Sequence, residues 1–409
     1  MKRILILCDA FGPPSFTPRI RFLSHYLVEN GWDVQLCTEK YAPITFAHSY
    51  PIHEIEFYKY QGFIGKLEWT IKSTWSLLFD YKNRQFSNDV QNYFQEKTFD
   101  LIFCSTFHTF PLRAAYEMAH KQKIPLAIDL RDIVEQAPGN QYHAHKINFL
   151  KPFAYWFKKI NVKRRNSIIQ KAQALISVSP WHTTILKHYN PKTHLIYNGF
   201  DADIFCPSHQ KNEQFIISYT GRLYDRNMQD PELFFAALRE LTQENTCDKT
   251  TCKVRWYTNE DSKRQIQKWA KRYDVEALME FHDYVAPAKI SHILQQTSIA
   301  LVFSNKATSN GSNGIMTTKF FEALGVEKPI LCVRSDEGYL AAAIQETNAG
   351  IAATTVEEVK TFIVEKYVEW EQNGFTHQPV DHNKKMTFSR QAQAKQFESL
   401  FEELILLKL

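Results

Sequence analysis

The sequence lacks any apolar run that approaches the roughly 20 residues of a membrane span. Its charged N-terminus is followed by a short apolar run that ends at Asp9, Gly12 and a pair of prolines, without a small-residue cleavage site. We therefore expect a first strand and its loop there, and no targeting segment. The seven cysteines are an odd number without regular or zinc-finger spacing, which favours a reducing compartment. These features predict a cytoplasmic protein.

Acidic residues are missing between Gln136 and Phe200, a stretch that contains ten lysines and arginines. Residues 1–200 carry 25 Lys and Arg against 15 Asp and Glu, whereas residues 201–409 carry 24 against 29. This asymmetry predicts that the first half faces an anionic partner, such as a membrane surface, a phosphate-bearing substrate or nucleic acid. Nucleic acid is the least favoured, because no recognised nucleic-acid-binding module accompanies the basic residues.

Short apolar runs alternate with helical patterns along the whole chain. Runs that are apolar on both faces are typical of buried parallel strands, and they lie at residues 3–8, 33–38, 100–105, 125–130, 174–179 and 194–198, then at 215–220, 252–258, 298–304 and 329–333. Two such series predict an α/β protein with two doubly wound, Rossmann-like domains facing a cleft. We place them at residues 1–199 and 200–385. Ligands of such sheets bind beyond the carboxyl ends of the strands, so we expect the ligand-binding residues in the loops there.

The loop DAFGPPSFTPR follows the first predicted strand. Gly12 allows a ligand to approach the backbone, which makes it a candidate for binding the donor. Arg19 stands where the next helix begins, a position suited to binding an anion. With a single glycine, the loop lacks the GxGxxG pattern of dinucleotide sites. A tight strand-to-helix turn is the alternative to a functional role.

The segment IDLRD ends another predicted strand of the first half. Asp129, Arg131 and Asp132 concentrate three charges at its carboxyl end. Because this edge should face the cleft, we predict that Arg131, like Arg19, helps to bind an acceptor. The alternative is a purely structural Asp–Arg pair.

Two loops of the second half combine glycine with polar side chains ahead of a helix. In YTGRLYDRNMQDP, the guanidinium groups near a glycine turn suit a diphosphate, and the candidates are Gly221, Arg222 and Arg226. In SNGSNGIMTTK, the N–H groups at the start of the next helix can receive the same phosphates, and the candidates are Asn313, Gly314, Thr317 and Thr318.

That next helix carries Lys319 and Glu322, which share a face because they are three residues apart. One interpretation is an intrahelical salt bridge, worth about 0.2–0.5 kcal/mol. The other assigns Lys319 to the phosphates and Glu322 to the ribose diol of one nucleotide. The pair alone does not decide between them.

In order and spacing, these segments resemble family 4 of the GT-B glycosyltransferases over nearly the whole chain. The resemblance rests on FGPP…PRIRFLSHYLVENGWDV, PLAIDLRD, ISVSPWH, IYNGFD, YTGRL, TTKFFEALGVEKPIL and the terminal helix. It implies retaining transfer of a sugar from a nucleotide-diphosphate sugar, with a UDP- or GDP-sugar as donor and neither a metal ion nor another cofactor. It also implies that a terminal helix over residues 386–409 crosses back onto the first domain.

Carried over by position, the resemblance implies that Lys319 and Arg226, or Arg222 in its place, bind the donor diphosphate. Glu322 matches the carboxylate that holds the ribose. Many members carry a second glutamate, but Gly314 stands at its position here, which affects the contacts to the donor sugar.

The resemblance also concerns the acceptor. Asp132 would orient or help to deprotonate the acceptor hydroxyl. Cations beside the diphosphate would stabilise the charge that develops on the leaving group. We predict a peripheral enzyme of surface-polysaccharide synthesis that acts on a glycan or lipid-linked acceptor. The alternatives are a nucleotide-sugar epimerase on the same fold and a catalytically silent partner subunit.

The basic stretch over residues 146–171 contains aromatic residues at helical spacing. One interpretation is a helix that contacts the anionic inner face of the plasma membrane, where a lipid-linked acceptor is located. The other is that the aromatic residues belong to the core and the lysines to a solvated face.

Overall fold

The structure is a computed structural model and describes residues 1–12, 18–57, 62–107, 109–136, 151–224, 229–246, 250–304, 315–333 and 338–407. The chain divides into two compact units, Met1–Tyr197 with Gln393–Leu409 and Asn198–Ala392. Each unit contains one sheet whose neighbouring strands run parallel, covered by helices.

The sheet of the first unit has the strand order β3-β2-β1-β4-β5-β6-β7. Its strands are β1 (Arg3–Ala10), β2 (Asp33–Glu39), β3 (Ile52–Ile55), β4 (Leu101–Thr106), β5 (Leu126–Leu130), β6 (Ala174–Ser177) and β7 (Thr193–Leu195). The helices in this part of the chain are α1 (Pro18–Glu29), α2 (Gly62–Phe79), α3 (Tyr81–Tyr93), α4 (Leu112–Gln122), α5 (Lys151–Ile169) and α6 (Pro180–Lys187).

The sheet of the second unit has the order β10-β9-β8-β11-β12-β13. Its strands are β8 (Phe215–Thr220), β9 (Cys252–Tyr257), β10 (Met279–His282), β11 (Ile299–Phe303), β12 (Ile330–Val333) and β13 (Gly350–Ala353). The remaining helices are α7 (Glu232–Gln243), α8 (Glu260–Arg272), α9 (Pro287–Gln295), α10 (Thr318–Gly325), α11 (Gly338–Glu346), α12 (Val356–Asn373), α13 (His382–Thr387) and α14 (Arg390–Leu406).

Both sheets have the doubly wound order, in which the chain reverses its direction of winding beside the first strand. The reversal lies between β1 and β4 in one unit and between β8 and β11 in the other. The central strands are buried on both faces, which accounts for their continuous apolar runs. The predicted fold class, two doubly wound parallel sheets, is confirmed.

Three strands were missed by the sequence analysis, namely β3, β10 and β13. All three lie at sheet edges and pair on one side only. Most of their residues are half-buried, and an edge strand that remains partly solvated needs no continuous apolar run. Within the described residues, none of the helices combines the length and the apolarity that crossing a membrane requires.

A buried ion pair connects three elements of the first unit. Arg19 of α1 donates from Nε and Nη2 to the two carboxylate oxygens of Asp129 in β5, at 3.3 and 3.1 Å. The Ser105 hydroxyl donates to the same carboxylate at 2.8 Å. The guanidinium also donates to the Tyr197 carbonyl and lies 4.6 Å from the centre of the Phe397 ring in α14. Arg19 therefore holds α1, β5 and the terminal helix together.

Replacing Asp129 with Ala should leave the Arg19 guanidinium without its ion-pair partner, although the Arg19 side chain is only 5% exposed. We expect the free energy of unfolding to fall by about 3–5 kcal/mol, as is typical when one partner of a buried pair is removed. Urea unfolding followed by circular dichroism measures this loss. The matched control is Glu56→Ala, which breaks the exposed Lys40–Glu56 pair and should cost less than about 1 kcal/mol. Equal losses in the two variants would contradict the structural role of Arg19.

Candidate functional site in the second unit

The turn after β8 is built around a glycine in a conformation that other residues avoid. Gly221 has a φ of 116°, and its N–H donates to the carbonyl of Tyr257 at 2.9 Å. The hydroxyl of the fully buried Tyr219 donates to the Arg222 carbonyl at 2.7 Å. The Leu223 N–H donates to the Ser262 hydroxyl at 3.0 Å, which connects the turn to α8. The backbone at this end of β8 is therefore fixed from both sides.

Lys319 reaches this turn from α10. Thr317 caps the helix by accepting a hydrogen bond from the Lys319 N–H at 3.4 Å. The Lys319 ammonium lies 5.2 Å from the centre of the Tyr219 ring. A Cβ atom placed on Gly221 would be only 2.8 Å from Cε of Lys319 and 3.2 Å from Nζ. The backbone conformation favours glycine at position 221, and a larger residue there would also displace the end of the Lys319 side chain.

Glu322 lies one turn further along α10 and is half-buried. Burial raises the pKa of its carboxyl to about 7, although Lys319 and Arg390 act in the opposite direction. Burial also lowers the pKa of Lys319, and Glu322 opposes that shift. Among the described residues no ion pair within 4.0 Å joins Lys319 and Glu322. Lys319 and Glu322 therefore do not form the intrahelical salt bridge that was one of the two interpretations of the sequence.

The remaining candidates of this unit occupy different positions. The exposed Arg222 guanidinium lies 5.5 Å from the centre of the Tyr224 ring, and Thr318 is exposed at the first turn of α10. The structure thus brings Gly221, Lys319 and the Thr317 cap together. Three further candidates, Arg226, Asn313 and Gly314, lie outside the described residues.

Two residues beside this turn were missed by the sequence analysis. Tyr219 lies under the Lys319 ammonium. The buried Gln229 side chain donates to the Phe303 carbonyl at 3.3 Å and accepts from the Tyr224 N–H at 3.2 Å, so it links the loop after β8 to the end of β11. A tyrosine within a strand pattern resembles core, and a lone glutamine in a loop gives no sequence signal. The signal that could have found them is their position at and after the strand that the sequence predicts at residues 215–220.

In the first unit, a second polar group lies at the carboxyl ends of β1, β4 and β5. Arg131 donates to the carboxylate of Asp9, which also accepts from the Phe107 N–H at 3.2 Å. The Arg131 guanidinium lies 3.9 Å from the centre of the Phe107 ring. Asp132 follows Arg131 and is half-buried. Asp9 was not among the predicted site residues, and its position at the end of the first strand is the signal that could have found it.

The other two candidates of this unit have evident structural contacts. A Cβ atom on Gly12 would lie 2.0 Å from the Ala42 carbonyl oxygen, so this glycine allows two backbone segments to approach each other. Arg19 pairs with Asp129 as described above. The roles of Arg19 and Arg131 in acceptor binding stay predictions. In the described part of the chain, no group of three or more His, Cys, Asp or Glu side chains is arranged to hold a metal ion.

The family comparison identifies a known sequence pattern in the first half of the chain. Residues 19–204 match the sequence model of Glycosyltransferase Family 4. This match spans somewhat less than half of the chain. No curated protein matches the sequence.

Solved structures resemble the chain over almost its entire length. Sucrose-phosphate synthase of Thermosynechococcus elongatus has a TM-score of 0.65 at 14% identity and covers 100% of both chains. HepE of Anabaena, solved with UDP, with UDP-glucose, and with UDP and glucose, has a TM-score of 0.64 at 14% identity and covers 98% of this chain and 100% of its own. A Listeria monocytogenes protein assigned as a UDP-N-acetylglucosamine 2-epimerase has a TM-score of 0.56 at 11% identity and covers 98% of each chain.

These likenesses establish the fold. The chain has the fold of the GT-B glycosyltransferases, and residues 19–204 carry the family 4 pattern. The predicted resemblance is confirmed to that extent.

The raised pKa of Glu322 has a consequence for stability. Between pH 4.5 and about 7, a carboxyl whose pKa is about 7 in the folded state and 4.5 in the unfolded state takes up a proton on folding. Its contribution to stability is therefore present below about pH 4.5 and is lost as the pH rises to about 7. Relative to Glu322→Gln, the wild type should lose thermal stability as the pH rises from 5 to 7, and the difference should then level off.

Thermal unfolding of both proteins across this pH range measures the effect. The exposed Glu357, replaced by Gln, is the matched control. If the Glu322→Gln and Glu357→Gln curves ran parallel at all pH values, Glu322 would not titrate as described.

Proposed function

We propose that this chain is a retaining glycosyltransferase that moves a sugar from a nucleotide-diphosphate sugar to a hydroxyl acceptor. The observation that carries the proposal is the contact of Lys319 with the Gly221 turn, one helical turn from Glu322. This arrangement lies at the carboxyl end of β8, beside the reversal of strand order where doubly wound sheets bind ligands. The family 4 match and the UDP-glucose complex of HepE support the same assignment.

The chemistry follows from the charges at the site. The bond between the anomeric carbon and the β-phosphate oxygen breaks, and the nucleoside diphosphate departs with the bonding electrons. The Lys319 ammonium and the N-terminus of α10 are positive groups that can stabilise this developing charge. Glu322, as a carboxylate, accepts hydrogen bonds from the ribose diol. In a retaining reaction the acceptor oxygen attacks from the face that the diphosphate leaves.

The finer assignments belong to the same proposal. We assign Asp132 of the first unit to orient the acceptor hydroxyl or to help remove its proton, with Arg131 beside it. The donor is a UDP- or GDP-sugar, and the reaction uses no metal ion and no further cofactor. The acceptor is a glycan or lipid-linked intermediate of surface-polysaccharide synthesis, reached from the inner face of the membrane. The basic half of the chain supports an anionic partner of this kind.

One observation favours a second function. The Listeria protein assigned as a nucleotide-sugar epimerase has the same fold. An epimerase would interconvert two nucleotide sugars and would need no acceptor. Proton NMR of UDP- and GDP-sugars incubated with the protein distinguishes the two functions, because only an epimerase produces a new nucleotide sugar. A transferase instead releases the nucleoside diphosphate.

Replacing Lys319 with Met should remove the cation beside the leaving group. We expect kcat/KM for nucleotide-sugar turnover to fall about 10²–10³-fold, the usual effect of losing one preorganised donor at a developing charge. Release of UDP or GDP measures this loss. Lys384→Met removes an exposed lysine of the same unit and should leave turnover unchanged. Unchanged turnover in Lys319→Met would contradict the assignment, and a wild type that neither binds nor turns over any nucleotide sugar would favour the silent partner subunit.

The affinity for the nucleotide should depend on pH through Glu322. Only the ionised carboxyl accepts both hydrogen bonds from a ribose diol, and its pKa is about 7. We therefore expect the dissociation constant of the nucleotide to rise up to about tenfold per pH unit as the pH falls below 7. Calorimetric titrations at pH 6, 7 and 8 measure it. In Glu322→Gln this dependence should disappear, and its persistence would assign it to another group.

A further inference from the structure

Helix α2 of the first unit exposes a row of large apolar side chains. Leu67, Ile71, Trp75 and Phe79 follow one another at intervals of one helical turn and are 55%, 51%, 55% and 59% exposed. At a rise of 1.5 Å per residue the row is about 18 Å long. We call these four residues the α2 stripe. Single exposed apolar residues are ordinary, but a contiguous row of this kind marks an interaction surface.

Aromatic rings extend the α2 stripe at its C-terminal end. The ring centres of Trp75 and Phe79 are 6.2 Å apart, and those of Trp75 and Tyr81 are 6.4 Å apart. Among the charged side chains of α2, Glu68 and Lys72 form an ion pair with each other. The stripe itself contains no charged residue. Its chemistry is therefore aliphatic at one end and aromatic at the other.

Helix α5 lies beside the end of α2 and is basic. Its Arg164 donates from Nη2 to the Leu78 carbonyl at 2.9 Å, which fixes the contact between the two helices. Tyr155 and Trp156 are about half exposed on α5, and the exposed Lys159 lies 4.6 Å from the Tyr155 ring centre. No acidic residue occurs in α5. The helix that contacts the end of α2 thus exposes tyrosine, tryptophan and lysine of its own.

We propose that the α2 stripe docks on the surface of an anionic lipid bilayer, with α2 lying in the plane of the interface. Apolar side chains on one face of a helix enter the boundary of headgroups and acyl chains to a depth of about 5–10 Å. Tryptophan and tyrosine favour the headgroup level. Lysines that lie close to the membrane surface are attracted to anionic lipids. The basic helix α5 next to the end of α2 therefore favours a surface of anionic lipids.

This surface differs from the one that the sequence indicated. The sequence pattern indicates membrane contact for residues 146–171 alone, of which 146–150 lie outside the described residues. Phe157 of α5, one of the aromatic residues at helical spacing, is only 5% exposed and belongs to the core. The α2 stripe supplies the apolar contact, and α5 supplies charge beside it. The docking proposal does not depend on the transferase activity.

Flotation with liposomes tests the proposal on the full chain. Wild type should float with vesicles that contain phosphatidylglycerol and much less with vesicles of phosphatidylcholine alone. The double variant Ile71→Ser/Trp75→Ser should bind the anionic vesicles at least roughly tenfold more weakly, because two apolar side chains no longer enter the interface. Both positions are exposed, so the midpoint of thermal unfolding should stay close to that of the wild type.

Two further variants complete the experiment. Val368→Ser replaces an exposed apolar residue of the second unit and should bind like the wild type. Lys163 is exposed on α5 like Lys159. Lys159→Glu/Lys163→Glu should weaken binding to the anionic vesicles and leave the weak binding to phosphatidylcholine unchanged. Sedimentation velocity shows whether the α2 stripe instead joins two copies of the chain. A dimer that the double variant converts to a monomer, or equal flotation of wild type and double variant, would overturn the proposal.

Discussion

The placement of the Lys319 ammonium against the Gly221 backbone is the constraint on which the site of the second unit depends. A Cβ atom at position 221 would displace the end of the lysine side chain, and the Thr317 cap fixes the helix from which that side chain projects. Burial works against the charge of Lys319 and of Glu322 alike. Charged groups held where burial disfavours their charge are typical of binding sites, because a complementary ligand supplies the missing partners.

The first unit uses its charges differently. Arg19 is nearly fully buried and forms an ion pair with Asp129. Arg131 forms an ion pair with Asp9 and lies against the Phe107 ring. These pairs fix the carboxyl ends of the central strands and hold the backbone from which Asp132 projects. The excess of positive charge in this half lies mainly outside these pairs, and α5 carries a part of it beside the α2 stripe.

The central strands of both sheets could be predicted from the sequence, because burial on both faces requires an apolar residue at nearly every position. The edge strands β3, β10 and β13 could not, since these partly solvated strands carry no such run. Lys319 and Glu322 were recognisable from helical spacing after a glycine-containing loop. Arg19 and Asp129, by contrast, are 110 residues apart, and no local pattern tells which distant charge an arginine meets. The exposure of the α2 stripe could not be predicted, because apolar residues at one-turn intervals usually form a core-facing stripe.

A crystal structure of the protein with bound UDP or GDP tests the central claim most directly. The account predicts that the diphosphate lies within hydrogen-bonding distance of the Lys319 ammonium, beside the Gly221 turn, with both ribose hydroxyls on the Glu322 carboxylate. A nucleotide bound elsewhere, with Lys319 and Glu322 in contact only with protein atoms, would contradict it.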